Sequence, residues 1–388
     1  MINYGKQSID DSDLKAVQKV LSGDWLTQGP YVEEFENELK SYFNSKYACA
    51  VSNGTAALHL AGLALGWSEN DIVITSPMSF LATANSIIYC GASPEFVDIN
   101  ETTYNIDINL LEEKIHHFLK NNKKIKAVIA VDYAGQPCDW EYMHKLCKKH
   151  DIKLINDNCH ALGAEINQDK GYAIKYADIV TQSYHPVKHI TTGEGGSIQT
   201  NDSEIYDRVK LLRSHGMTKT ELKSNDKNYP WYYEMQELGF NYRITDFQCA
   251  LGTNQLKKLD DFIIKRRKIA KIYDNAFSSI KNVRIPHVDE KVSHSYHLYP
   301  LLIDFDKFPI SKLYFFNKMK EKGITLQVHY IPIHLQPYYS YNYNYKLGDF
   351  PISESFYEQE FSIPIYNDLN NDQINYIIES IYITLNQK

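Results

Sequence analysis

Long apolar runs are missing from this 388-residue chain. No uncharged run that is also apolar throughout approaches the roughly 18 residues that cross a bilayer. Residues 1–13 carry three aspartates and no apolar segment of the signal-peptide kind. Cysteine is scarce: the six (Cys49, Cys90, Cys138, Cys147, Cys159, Cys249) form no CxxC pair, which excludes a disulfide framework and suits free thiols in a reducing compartment. A cytoplasmic protein without membrane attachment is expected. Basic charge is in deficit, with 41 Lys and Arg against 48 Asp and Glu and a net charge of −7, so nucleic acid is not an expected partner. The chain also lacks the GxxxxGK[ST] and GxGxxG phosphate loops and the HExxH zinc motif. Without paired His/Cys spacing, His294, His297, His329 and His334 read as structural or substrate-contacting, and no metal is expected.

What is present is a hydrophobic content of 43%, enough for a large domain and a smaller one. Apolar periodicity predicts helices over residues 9–21 and 31–43 and a strand over 47–51. Strand patterns over 72–75, 94–97, 126–131, 152–156 and 178–182 then alternate with helices. That alternation predicts an α/β fold with a mostly parallel sheet, whose ligands sit beyond the carboxyl ends of the strands. One amphipathic helix over 256–277 should lead to a C-terminal domain with strands near 298–303 and 325–329 and a closing helix near 370–386. The expected division is 1–255, with an N-terminal arm, and 256–388. The tyrosine-rich stretch 337–345 reads as a surface loop bordering the site.

The candidate chemistry falls at strand ends. Lys188 lies between Ser183 and the Gly193-Glu194-Gly195-Gly196 turn, among small and polar neighbours. A desolvated lysine amine is a nucleophile whose characteristic product is a Schiff base with an aldehyde, of which pyridoxal phosphate (PLP) is the commonest. PLP also needs a carboxylate for its ring nitrogen, a phosphate cup and a flat stacking partner. Asp157, closing a strand, can supply the first, although a strand-end aspartate alone reads equally as a helix cap. Gly54, Thr55 and Ala56, where the strand 47–51 turns into a helix, can supply the cup, since free amides and the positive end of the helix dipole meet there. Phe80 is the candidate for the ring face.

Taken together, Ser52–Leu58, Asp157–Ala164, the Ser-x-His-x-x-Lys-x-x-Thr-x-Gly-Glu-Gly-Gly pattern of Ser183–Gly196, and Gly239-Phe240-Asn241-Tyr242-Arg243 resemble the DegT/DnrJ-type sugar aminotransferases in order and spacing over nearly the whole chain. His185-Pro186-Val187-Lys188, with the later Gln327–Pro332 and His334–Tyr339, resembles the branch serving pseudaminic acid synthesis. The resemblance implies a fold-type I PLP enzyme: a large domain with a mostly parallel seven-stranded sheet and a smaller C-terminal α/β domain. It assigns Lys188 to the cofactor's aldehyde, Asp157 to its ring nitrogen, and Ser183 with Thr55 and Ala56 to its phosphate. Phe80 takes the ring face and His160 lies beside the ring hydroxyl. It implies a homodimer with shared sites, Asn241 reaching the phosphate in the partner's site.

By the same resemblance L-glutamate is the amino donor and a UDP-linked 4-keto-6-deoxy sugar the acceptor, with pyridoxamine phosphate as the cofactor's intermediate form. Tyr4, Lys6, Thr27, Gln28, His185, Arg243, His329 and Tyr330 are the expected substrate contacts. Asn156 departs from the family pattern, in which an acidic residue commonly precedes the aspartate. A sugar dehydratase of the family usually carries histidine at the lysine position, and a non-catalytic relative needs neither Lys188 nor Asp157. Both residues are present here.

Overall fold

The computed structural model describes residues 1–220, 222–223 and 229–386. Its centre is a seven-stranded sheet of β1 (Tyr47–Val51), β2 (Ile72–Thr75), β3 (Ser93–Phe96), β4 (Ile125–Val131), β5 (Lys153–Asp157), β6 (Ile179–Ser183) and β7 (Gly196–Thr200). The spatial order is β1-β7-β6-β5-β4-β2-β3. The pairs β2/β3, β2/β4, β4/β5 and β5/β6 are parallel, and only β7 runs against its neighbours β1 and β6. The sequence pattern does not announce β7, because its glycine-rich start reads as a turn.

Both faces of the sheet are covered. Ala48, Ala50, Ile74, Val128, Ala130, Leu154 and Val180 enter one core, whereas Cys49, Val51, Val73, Ala127, Ile129, Ile155 and Ile179 enter the other. Alternate side chains of a strand point to opposite faces, so strands buried on both sides become the near-continuous apolar runs seen in the sequence.

The helix expected over 256–277 is present as Leu259–Phe277, and a further helix, Asp246–Lys257, precedes it, parted from it at Lys258. The Lys258 amine is held by Asp13 at 2.5 Å and Asp10 at 3.0 Å, which pins the break to the first helix of the chain, Asp11–Leu21. Leu259, Phe262 and Ile263 pack in the first core, while Ile269, Ala270, Tyr273 and Phe277 pack in a separate one. A single helix is therefore shared by both.

That second core lies under an antiparallel sheet of β8 (Val283–Arg284), β9 (Tyr299–Ile303) and β10 (Glu360–Ile363), with β9 central. Ile2 joins it, and Tyr4 O accepts from Ile365 N. Two expectations fail here. Instead of a strand at 325–329 there is one isolated bridge, Gln327 to Ser362. Instead of a loop at 337–345 there is a helix, Pro337–Tyr343. Proline at its first position and left-handed Asn344 at its end delimit it. Tyr339 is buried, edge-on to Phe96, with its hydroxyl on Asn85 Oδ1, and so docks the helix, whereas Tyr338 and Tyr341 stay exposed. The closing helix is Asn371–Leu385.

Candidate active site

The carboxyl ends of the strands bring the candidate residues to one edge. Asp157 ends β5 and Ser183 ends β6, its parallel neighbour. Gly196 at the start of β7 pairs with Ser183 on one side and Val51 of β1 on the other. The turn after β1 is thereby laid against Ser183. A Cβ on Gly54 would lie 2.8 Å from Ser183 Cβ, and one on Gly196 would lie 2.5 Å from the Asn53 carbonyl. Only glycine permits these approaches.

The helix Gly54–Ala64 starts at this cradle, capped by Asn53 Oδ1, which accepts from Ala56 N at 2.8 Å. Of the three predicted phosphate residues, Ala56 thus already gives its amide away. The amides of Gly54 and Thr55 remain as first-turn donors without an intrahelical acceptor, and Ser183 Oγ has no hydrogen-bond partner among the described residues. Free donors gathered at one helix start suit a phosphate group.

Asp157 is buried, yet no cation pairs with it among the described residues. Its Oδ2 accepts from Thr83 Oγ1 at 2.7 Å and its Oδ1 from Cys159 N at 3.3 Å. It caps no α-helix. A buried carboxylate held by neutral donors alone is suited to a cationic ligand atom such as a protonated pyridine nitrogen. Behind it sits Asp132, fully buried at the end of β4, which accepts from Asn156, Asn158, Tyr172, Trp140 and the Cys138 amide. The acid missing at position 156 is supplied to this network from the neighbouring strand, and both flanks of Asp157 are fixed by it.

Lys188 rides the β6–β7 hairpin loop, whose neck is closed by Tyr184 N to Gly195 O and Thr192 N to Tyr184 O. Its amine, partly buried, lies 3.4 Å from His297 Nε2. Burial pulls the Lys188 pKa below its ordinary value, against the opposing pull of Cys159 and Asp157. His160, His189 and His297 are held well below the usual histidine range by burial first, and His329 is lowered to about 3 by burial and then by Lys188. The amine therefore stands among neutral imidazoles. His297 Nδ1 and His189 Nδ1 are buried without hydrogen-bond partners among the described residues.

Around this centre, His160 Nε2 meets Tyr330 OH at 3.0 Å, and Phe80, 57% exposed, stands 6.0 Å from the Tyr330 ring. Tyr4 lies against His329 with ring centroids 5.3 Å apart. Lys6 lines a narrow cleft together with Lys188, and its amine lies 3.9 Å from Asp368. The remaining predicted contacts are not brought to Lys188 within the protomer. Thr27 pairs with Thr245 and is exposed beside Gln28, while Asn241 is exposed and pairs with Ser214. Arg243 makes no salt bridge among the described residues. His185 is exposed, its carbonyl accepting from Lys188 N. Sequence reasoning missed Thr83 and Asp132, and it did not link His297 to the lysine. No local pattern marks contacts made across 74 or 109 residues.

Among the described residues no three His, Cys, Asp or Glu side chains are placed to hold a metal, and no helix is long and apolar enough to cross a membrane.

Residues 7–382 match the DegT/DnrJ/EryC1/StrS aminotransferase family. The chain is similar to the UDP-4-amino-4,6-dideoxy-N-acetyl-beta-L-altrosamine transaminase of Campylobacter jejuni, 39% identical over 388 residues and covering 99% of this chain and 98% of the relative. Among solved structures it is similar to Helicobacter pylori PseC, an aminotransferase involved in the biosynthesis of pseudoaminic acid, with TM-score 0.89, 35% identity and 99% of each chain covered. It is also similar to Streptococcus pneumoniae Spr1654 in its PMP form, with TM-score 0.89, 27% identity and 99% of each chain covered.

Proposed function

The chain belongs to the DegT/DnrJ/EryC1/StrS aminotransferase family, and on that premise we propose that it transfers the amino group of L-glutamate to C4 of a UDP-4-keto-6-deoxy-N-acetylhexosamine. The product, a UDP-4-amino-4,6-dideoxy sugar, would feed pseudaminic acid or a related surface glycan, in the cytoplasm. The chain is a PLP-dependent sugar aminotransferase; the donor, the acceptor and the residue roles below are our own reading. The observation that carries it is the Lys188 amine, depressed in pKa among neutral histidines on the same sheet edge as an unpaired buried carboxylate.

PLP, when bound, supplies a carbonyl carbon to which amines add and a ring that takes up the electron pair left when a carbon–hydrogen bond breaks. The chain's residues do the rest. Gly54 and Thr55 amides with Ser183 Oγ hold the phosphate, and Phe80 covers the ring face. The Asp157 carboxylate, steadied by Thr83, keeps the ring nitrogen protonated. His160, beside the ring hydroxyl, is held by Tyr330. Lys188 Nζ, lowered in pKa and so able to shed its proton, takes the proton from Cα of L-glutamate and later delivers one to C4 of the sugar. Tyr4, Lys6, His329 and Tyr330 line the side on which the sugar nucleotide would enter.

Thr27, Gln28, Asn241 and Arg243 complete the site of a second subunit in this proposal. The segments that carry them also carry Trp25, Leu26, Trp231, Met235 and Leu238, all exposed, and large apolar side chains gathered at a surface mark an interface. If sites are shared, mixing Lys188→Ala and Asn241→Ala subunits should restore about a quarter of wild-type activity, because half of randomly paired dimers keep one intact site. No recovery on mixing would mean that each subunit works alone.

To test the reaction, the PLP-loaded protein is incubated with L-glutamate and a panel of UDP- and GDP-linked 4-keto-6-deoxy sugars, products being identified by mass and proton NMR. A C4 amine on the UDP-N-acetylhexosamine with release of 2-oxoglutarate is expected. Turnover of GDP-sugars alone, or loss of a sugar hydroxyl in place of amination, would count against it.

A further inference from the structure

Two buried polar side chains of β10 lie behind His329. Glu360 and Ser362 are two apart and share a face of the strand, while Phe361 and Ile363 between and beyond them turn into the second core. The Gln327–Ser362 bridge holds this face against the segment that carries His329. Glu360 Oε2 accepts from the His329 amide at 3.0 Å, and Glu360 Oε1 meets Ser362 Oγ at 2.8 Å. The same Oγ lies 2.8 Å from His329 Nδ1. His329 Nε2 has no hydrogen-bond partner among the described residues.

One hydroxyl thus joins a carboxyl to an imidazole, and it has a single proton to give. With Glu360 ionised, Ser362 donates to Oε1 and must accept from His329, which puts the imidazole proton on Nδ1 and leaves a lone pair on Nε2. With Glu360 protonated on Oε1, it donates to Ser362, Ser362 donates to Nδ1, and the imidazole proton moves to Nε2. Both arrangements satisfy every buried group in the chain of bonds, as buried polar networks require.

The geometry points to Glu360 as a positioning residue that, through Ser362, sets which nitrogen of His329 carries the proton, and so whether His329 offers the sugar site a donor or an acceptor. This rests on the reading that His329 borders that site.

The surroundings allow Glu360 both states near neutral pH. Burial pushes it up to about 8, opposed by the His329 amide, Ser362 and the Lys312 amine. Lys312 donates to the Tyr357 carbonyl, feels Glu360 and Glu358, and is itself lowered by burial. The other facing groups do not compete for the carboxyl: Tyr133 donates to the His329 carbonyl, Tyr330 is engaged by His160, and the Tyr104 phenol is raised by burial. His329 itself stays neutral across this range, so only its tautomer can change.

The test is a pH series of two-bond proton–nitrogen correlation spectra of the PLP-loaded enzyme labelled with ¹⁵N-histidine, His329 being assigned by its loss in His329→Gln. In the wild type, the non-protonated nitrogen should pass from Nδ1 to Nε2 as pH rises through the Glu360 titration. Glu360→Gln, whose amide can donate to Ser362 but cannot ionise, should hold the proton on Nε2 at every pH. Ser362→Ala should abolish the pH response. A wild-type tautomer indifferent to pH, or a Glu360→Gln enzyme with the proton on Nδ1, overturns the inference, and the wild-type titration needs neither the Glu360 nor the Ser362 variant to fold. No sugar is present in the measurement. A tautomer that moves as described in an enzyme that leaves UDP-4-keto sugars unchanged would therefore overturn the proposed substrate alone.

Discussion

Lys188→Ala is expected to lower transamination by at least about 10³-fold, the scale on which a positioned proton-transfer group acts, and to leave added PLP bound without a covalent link. The side chain combines two duties in the proposed reaction, as the amine that joins the cofactor and as the base that moves the proton. The structure gives it no understudy. Its nearest basic neighbour, His297 at 3.4 Å, is a buried imidazole held neutral, and the other histidines around it are depressed in the same way. The check is borohydride treatment of the PLP-loaded protein followed by mass spectrometry. The wild type should gain a stable pyridoxyl mass on the peptide holding Lys188, and the variant none. A variant that keeps full turnover, or labelling that maps to another lysine, would refute the assignment.

The second large effect is expected at Asp157. Asparagine there keeps the shape, its oxygen accepting from Cys159 N and its amide donating to the Thr83 hydroxyl, but removes the charge that would hold a proton on the ring nitrogen. Removal of one preorganised electrostatic group costs about 10²- to 10³-fold in kcat, and that is the loss expected of Asp157→Asn. Borohydride labelling at Lys188 should survive, because the covalent link does not need the ring proton. The two variants therefore part cleanly, one losing both link and rate, the other the rate alone. If Asp157→Asn instead unfolds the protein or leaves kcat unchanged, the aspartate is a structural residue. Its environment argues otherwise, since the network of Asp132, Asn156 and Asn158 secures the backbone on both sides without its side chain.

Much of this arrangement was legible in the chain because it is local. Gly54, Asp157 and Ser183 each sit at the carboxyl end of a strand pattern, and parallel order sends all such ends to one edge. The strands themselves announce their burial through unbroken apolar runs. What was not legible depends on distance or on competing signals. Thr83 reaches Asp157 only because β2 and β5 flank the same strand, and nothing near residue 83 encodes that. The break at Lys258 is set by two aspartates from the first helix, overriding a helical period that runs through it. The tyrosines of 337–343 look like loop residues by composition, yet proline at the start, asparagine at the end and a buried contact with Phe96 make a helix of them. β7 hid for the opposite reason: its first glycines, needed where Gly196 passes the Asn53 carbonyl, mimic a turn.

The reversal of β7 also governs how tolerant this enzyme can be of change in length. Strands on either side of it finish at the ligand edge, so a plain hairpin delivers the reactive amine there without a crossover helix to absorb slack. Inserting or deleting one residue between Ser183 and Gly196 would leave the ladder intact and still carry the nitrogen off target. Descendants of this chain are free to drift in their outer loops, but the stride from serine to glycine is fixed.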